Sequence, residues 1–522
     1  MRWSAFTFVL IIGLCQICTA KNVLFFIPAL ADSVVIQAGR LADLLVDDGH
    51  NVTFFIPEMT TTSKNNGTKK ANVIRMGDFA ETFSLGMKQY TNVLDPHAAT
   101  LYKRFKMGDY CIDFCKQLIV RRKELDFLKA YKFDAIVSNV LEMCDLGIAR
   151  YLGIDTHIWT VTGPMHETTL YNLGLPSPPS YLPVLEDATG GSEMTFMERA
   201  QNMYLWFTAT VLHKYITFWH NYNFRYYIDP NFPGVDELAA DSAITFINTD
   251  EFIDYPRPIL HKTIYIGGAG LKKPQPLTEE FLEILSKGKD GTVLVSFGSN
   301  CNTLAIPFEN KMEMIRAFSS FVNYHFLMKV SHGDNATINF GKQFNNIDFT
   351  YWTPQTDLLG HPALKAFITH AGINSVIEAA TRGVPIITVP LFFDQFRNAK
   401  MAEHRGFGLV IKKEEFGEAA FTHALQEILY QPKYTLAAKR ISKLIRTKPN
   451  PADETFLKWS NFVLENGKLP ELTPVGSKMH FITYYNLDVI AVLLLIIITT
   501  IWSASFVFHR LNAVTTTKSK NE

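Results

Sequence analysis

A surplus of charge of either sign is missing: fifty Lys and Arg residues stand against fifty Asp and Glu residues, for a formal net charge of zero. Polyanions are attracted by excess positive charge, so a nucleic-acid partner is not expected. Cysteine is scarce, at six in 522 residues. Two of the six fall within the first twenty positions, and the remaining four (Cys111, Cys115, Cys144, Cys301) are too few for a disulfide scaffold in a chain this long. Cys111 and Cys115, on an expected helix with no neighbouring His to complete a metal set, read as core thiols. Solenoid repeats and low-complexity tracts are absent. So is the pattern G-x-G-x-x-G after the first strand, which weighs against a nicotinamide cofactor.

What is present is apolar. With 47% hydrophobic and 19% charged residues, the chain can bury two or three ordinary cores. Both ends have a membrane character. Residues 1–20, "MRWSAFTFVLIIGLCQICTA", carry one Arg, a short apolar run and small residues before a cleavage point, the make-up of a secretory signal peptide. Residues 489–508, "VIAVLLLIIITTIWSASFVF", contain no charge and are long enough to span a bilayer. The tail 509–522 holds His509, Arg510, Lys518 and Lys520, and basic residues favour the cytosolic side. The expectation is a single-pass, type I membrane protein with residues 21 to about 488 in the lumen. Lys518 and Lys520 resemble a dilysine retrieval signal of the endoplasmic reticulum. The sequons at Asn51, Asn66 and Asn335 are open to a luminal glycosylation machinery. Asn66 sits in the most loop-like of the three surroundings, whereas Asn51 adjoins a buried strand.

Apolar strands alternate with longer helical segments in both halves, the signature of parallel sheets covered by helices. The first unit runs from "NVLFFIPAL" through "DSVVIQAGRLADLL" to "HNVTFFIP". Strand, loop and amphipathic helix are expected in that order, with Ser33, Val34, Val35 and Ile36 at the loop tip. The run "MYLWFTATVLHKYITFWHNYNFRYY" reads as helical, either lining an apolar pocket or packing between helices. "GGAGLKKPQPLTEE" is the best linker. The fold expected is α/β, two doubly wound Rossmann-like domains (21–266 and 291–480) facing a cleft, with a linker at 267–290 and a C-terminal transmembrane helix.

Chemistry concentrates between Trp352 and Gln395. "AFIT", "HAGINS" and "VIEAATRG" read as strand, loop and helix, which crowds His370, Gly372, Asn374 and Ser375 at a helix N-terminus. Free amides and the positive dipole end favour phosphate there, and Gly372 allows close backbone approach. Glu378, one turn on, can accept from sugar hydroxyls. Trp352 offers a flat face to a base, and Asp394 with Gln395 supply acceptors and donors at the end of the next strand.

This run closely resembles the signature of the UDP-glycosyltransferases, the glucuronosyl and glucosyl transferases of the GT-B fold, most of all their animal membrane-bound branch. "VSFGS" (Val295 to Ser299) and "PSYLP" (Pro179 to Pro183) extend the resemblance over nearly the whole mature chain. It implies that Trp352 stacks on uracil and Gln355 bonds the uridine. Gly298, Ser299, His370, Gly372, Asn374 and Ser375 would surround the phosphates, Glu378 the ribose hydroxyls, and Asp394 with Gln395 the transferred sugar. Ala371 replaces a frequent Gly, a methyl expected to change little. The partners implied are UDP-glucuronate or UDP-glucose as co-substrate and a small lipophilic acceptor, with no metal or other cofactor. Homo- or hetero-oligomers with related transferases are compatible with this. In the family a His before the first helix takes the acceptor proton, oriented by an acid after a later strand. Those positions are Val34 and Asn139, so the catalytic residues are unknown. His97, His166, Glu142 and Glu167 are the candidate substitutes.

Overall fold

The computed structural model describes residues 20–60, 63–79, 92–95, 100–139, 143–186, 188, 190–298 and 301–518. The expected leader, apart from Ala20, lies outside them, as does Lys520. The N-terminal sheet holds β1 (Asn22–Phe26), β2 (Asn51–Pro57), β3 (Asn72–Met76), β4 (Ala135–Asn139), β5 (His157–Val161), β6 (Ile244–Ile247) and β7 (Thr263–Tyr265), in the order 3-2-1-4-5-6-7. The C-terminal sheet holds β8 (Gly291–Ser296), β9 (Tyr324–Lys329), β10 (Ile347–Thr350), β11 (Leu364–Thr369), β12 (Ile386–Thr388) and β13 (Gly408–Val410), in the order 10-9-8-11-12-13. Every pairing is parallel.

Helices cover both faces of each sheet, which is why the strands are almost unbroken apolar runs. In β1, Leu24 and Phe26 enter the core on one face while Val23 and Phe25 enter the core on the other. Burying each of these side chains contributes about 1.5–3 kcal/mol. Strand order reverses between β1 and β4 in one sheet and between β8 and β11 in the other. Ligands bind at such switch points, beyond the carboxyl ends of the strands. The segments after β1, β8 and β11 all line one cleft.

Four features depart from the expected layout. The helix after β1 spans Asp32–Asp47, so Ser33, Val34, Val35 and Ile36 are helical rather than a loop tip. Cys115 is no core thiol: it forms a disulfide with Cys144, tying the helix Leu101–Val120 to the helix Cys144–Leu152, and Cys111 takes no part in that bond. The helix Ala452–Asn466, inside the span expected for the second domain, packs on the first: Phe456, Val463 and Leu464 join its core. Asn461 Oδ1 there accepts from His50 Nε2 at 2.7 Å, and its Nδ2 donates to Asp48 at 2.7 Å. Within the expected linker, the helix Glu279–Ser286 buries Phe281 and Leu285 in the core of the second sheet.

Two buried ion pairs cross between the domains. Arg397 donates to Asp254 at 2.7 Å, and Lys448 donates to Asp250 at 2.8 Å and to Glu251 at 3.0 Å. At the far end, the helix Leu487–Lys518 includes a 26-residue stretch, Leu487–Asn512, long and apolar enough to cross a membrane.

Candidate functional site

The cleft between the two switch points has a volume of about 1410 Å³. Its C-terminal wall is built on β11, which delivers His370 to the mouth of the helix Ile373–Arg382. The imidazole is buried against two glycines: a Cβ on Gly298 would sit 2.5 Å from His370 Cε1, and one on Gly372 would sit 2.7 Å from Nε2. Burial, with a smaller push from Lys329, lowers the His370 pKa to about 4, so the ring is neutral at pH 7. Lys329 donates to the Gly298 carbonyl at 3.3 Å. A neutral imidazole and a fan of free amides on a positive dipole end suit a diphosphate.

Ala371 has φ +64° and is fully buried. The methyl expected to change little therefore occupies the left-handed region, which costs roughly 1–2 kcal/mol for a residue with a Cβ. Its packing in the apolar cluster with Ile373 and Val376 offsets part of that.

Glu378 is buried, and both its carboxylate oxygens are bonded. Gln355 Nε2 donates to Oε2 at 2.9 Å and also reaches Ser375 Oγ at 3.2 Å. Arg40, on the first helix of the opposite domain, donates to Oε1 at 3.1 Å. Asn374 is held from the same side: Asn248 donates to its Oδ1 at 3.1 Å, and its own Nδ2 lies 3.5 Å from the Ser33 carbonyl. Arg40 and Asn248 escaped the sequence reading. Asn248 follows β6 and so stands at a strand's carboxyl end, the one signal that points to it; Arg40 has none.

Trp352 follows β10 with its indole 66% exposed, an open platform at the cleft edge. Asp394 follows Phe393, itself at φ +56°, and accepts from Asn398. Burial raises its pKa to about 6 against the opposing effect of that bond. Gln395 Oε1 accepts from the Leu391 and Phe392 amides at 2.9 and 3.2 Å, so its carbonyl end holds the turn. The structure thus brings Gly298, Trp352, Gln355, His370, Gly372, Asn374, Ser375, Glu378, Asp394 and Gln395 to one cleft. Ser299 lies outside the described residues.

The N-terminal wall presents Val34 in the first turn of its helix, apolar and 6% exposed. Asn139 ends β4 and donates to Thr162 Oγ1. Among the candidate substitutes, His166 lines the cleft, its pKa lowered to about 4 by burial and by Arg397 and Arg257. Glu167 also lines it and accepts from the Leu185 amide at 3.1 Å. His97 and Glu142 fall outside the described residues. Two further groups line the cleft without having been anticipated. Asp32 accepts from Ser63 Oγ at 2.6 Å, and His213 donates from Nε2 to Asn172 Oδ1 at 3.0 Å. His213 belongs to the long aromatic helix Phe196–Tyr227, whose inward face does line the pocket, through Thr208, Leu212 and Ile216 as well. Away from the cleft, Asn66 and Asn335 are exposed, and Asn51 opens β2 with its amide donating to Asn22 at 3.1 Å.

Comparison with known proteins agrees with this geometry. A family model described as UDP-glucoronosyl and UDP-glucosyl transferase matches residues 22–520. Putative UDP-glucuronosyltransferase ugt-50 of Caenorhabditis elegans is 31% identical over 493 residues, covering 94% of this chain and 94% of that protein. UDP-glucuronosyltransferase 3A2 of Mus musculus is 28% identical over 485 residues, with 91% of each chain covered. Among solved structures, a Polygonum tinctorium UDP-glucosyltransferase capable of glucosylating indoxyl, in complex with 3,4-dichloroaniline, matches with a TM-score of 0.58 at 16% identity. That match covers 86% of this chain and 99% of that one. The shared architecture is GT-B.

Proposed function

The chain belongs to the UDP-glucuronosyl and UDP-glucosyl transferase family, and from that premise we propose that it moves glucuronate or glucose from a UDP-sugar to a small lipophilic acceptor, with a preference for amines. The observation that carries the reading is the placement of a full set of donor groups, Trp352 through Gln395, opposite an apolar Val34. In the reaction the acceptor lone pair forms a bond to the anomeric carbon as the sugar–diphosphate bond breaks, and UDP leaves with the electron pair. His370, the amides after Gly372 and the dipole of the helix Ile373–Arg382 oppose the charge that grows on the diphosphate. Ribose hydroxyls would take over Glu378 from Arg40.

A hydroxyl acceptor needs its proton removed as the bond forms, and a positioned base typically contributes about 10²–10⁴-fold. Val34 cannot do this. A neutral amine attacks with its own lone pair and loses its proton to water afterwards, which removes the demand for a base. The disulfide Cys115–Cys144 fits an oxidising compartment. With the apolar helix at the C-terminus and the lysines beyond it, this supports a luminal enzyme of the endoplasmic-reticulum membrane.

A second reading rests on the paired replacements themselves. Val34 and Asn139 together make the chain a donor-binding, catalytically weak partner of active transferases in the same membrane. Microsomes carrying the wild type, or Val34→His with Asn139→Asp, separate the two when offered UDP-glucuronate and UDP-glucose with phenols and amines. Amine turnover by the wild type, with phenol turnover gained only by the double variant, is the expected result. UDP binding with no turnover of either acceptor class by the wild type favours the second reading.

A further inference from the structure

Arg40 stands in the donor site but belongs to the opposite domain. From the helix Asp32–Asp47 its guanidinium crosses the cleft to Glu378 Oε1 at 3.1 Å, inside the place read for the nucleotide. The base of the side chain is fixed. Gly270, at φ +71°, lies so near that a Cβ on it would sit 2.7 Å from Arg40 Cβ and 3.0 Å from the Arg40 carbonyl oxygen. The segment between the domains therefore packs on the arginine backbone, and the Gly270 amide in turn donates to Asp453 at 2.8 Å. The ion pair at the other end is unevenly covered, with the Arg40 side chain 25% exposed and that of Glu378 7%. A carboxylate this buried needs donors at both oxygens, and Arg40 supplies one while Gln355 supplies the other.

The acid one turn along Arg40's own helix is already engaged. Asp43 accepts from Thr68 Oγ1 and from the Lys69 and Lys70 amides at 3.0 Å each. Across the cleft, a single amide spans the step from the carboxylate to the helix start: Gln355 Nε2 touches Glu378 Oε2 at 2.9 Å and Ser375 Oγ at 3.2 Å. Ser375 lies in the first turn of the helix Ile373–Arg382, where free amides and the dipole favour an anion. A pivot about the terminal bonds of an arginine covers such a step, and a guanidinium meets phosphate with two parallel bonds.

We propose that Arg40 binds the donor diphosphate from the opposite domain once the ribose has taken its place on Glu378. The proposal rests on reading the cleft as a UDP-sugar site. Charge balances in the exchange: ribose hydroxyls donate to the Glu378 carboxylate, and the released guanidinium donates to phosphate oxygens. A nucleoside without phosphates displaces Arg40 and offers it nothing in return, so the exchange selects for the diphosphate. It also joins the domains across the ligand, since ribose and phosphates rest on one and the arginine on the other.

The test measures UDP binding by calorimetry and uridine binding by ligand-observed NMR, on the full chain in detergent micelles, for wild type, Arg40→Gln and Arg40→Lys. Arg40→Met, which keeps the apolar stem, replaces Arg40→Gln if that chain melts early. In Arg40→Gln, UDP is expected to bind about 10–150-fold more weakly, the worth of a hydrogen bond to a charged group. Uridine is expected to bind about two- to fivefold more tightly, because the ribose no longer displaces a partly exposed ion pair. Arg40→Lys keeps the charge without the fork, and its UDP affinity should fall between the other two. Opposite signs for the two ligands cannot come from a damaged fold, which weakens both. Weakening of UDP and uridine by the same factor overturns the proposal and makes Arg40 a fixed support of Glu378. Unchanged UDP affinity in Arg40→Gln overturns it as well. A wild type that binds neither ligand overturns the donor reading on which the proposal rests.

Discussion

Asp394 offers a prediction whose size follows from its surroundings. Its carboxyl titrates near pH 6 because burial penalises the charged form more than the Asn398 amide stabilises it. If the transferred sugar donates hydroxyls to this group, the sugar prefers the carboxylate. Binding is then complete above the raised pKa and is lost as the pH falls through it. Between pH 7 and pH 5 the ionised fraction drops from about 0.9 to about 0.1, so UDP-glucose affinity should weaken by up to about tenfold. His370 does not interfere, since burial holds it neutral until about pH 4. Both phosphates of the ligand are already singly ionised and carry no further proton in this range. Replacement Asp394→Asn removes the titration and a charge-assisted bond worth about 1.5–3 kcal/mol. The pH profile should then be flat and the affinity at pH 7 about 10–150-fold weaker. Isothermal titration of both proteins with UDP-glucose at several pH values measures this. A wild-type profile that stays flat to pH 5, or a slope that survives in Asp394→Asn, would refute the assignment of this carboxylate to the sugar.

Other substitutions probe separate parts of the site and fold. Trp352→Ala should weaken UDP by about 1–3 kcal/mol through lost stacking. Because the ring is 66% exposed, thermal stability should stay within about 0.5 kcal/mol of wild type. Gly298→Ala places a methyl 2.5 Å from the His370 ring at φ +83°. It should lower stability by about 1–3 kcal/mol and displace the imidazole, with UDP titration showing at least a tenfold loss. Cys115→Ser with Cys144→Ser opens a link between residues 29 apart, which by chain entropy removes roughly 3.5 kcal/mol. Wild type heated with a thiol reductant should match the melting temperature of that variant.

The strand, loop and helix start around His370 and Gly372 were legible because their geometry is local: a strand, a His, a Gly and a helix start follow one another within a few residues. The two sheets were legible for a similar reason, since strands buried on both faces leave unbroken apolar runs. Arg40 was not. Its bond to Glu378 joins positions 338 apart, and nothing in "GRLAD" distinguishes an arginine that crosses a cleft from one that faces water. The early helix start at Asp32 was hidden as well: Ala31 stands at the N-cap with no side-chain bond, and adjacent valines suggest strand rather than helix. The disulfide depended on which of two thiols, Cys111 or Cys115, the helix turns toward Cys144. That choice is made by tertiary packing. Ala371 shows the limit in one residue, because its cost lies in a backbone angle and the letter alone suggests a harmless methyl.

The return of the helix Ala452–Asn466 to the first domain means that the chain passes between the two halves twice. Lys448 on the second passage grips Asp250 and Glu251 ahead of the first, pinning the two crossings together. Mechanically this is a double-leaf hinge with a charged pin. A slide of one half along the other would pull Lys448 from both carboxylates, whereas a rotation about this point would keep them paired. The segment leading to the C-terminal apolar helix packs on the N-terminal half, Tyr484 and Ser477 against Gly174, so the load of that helix falls on one half alone.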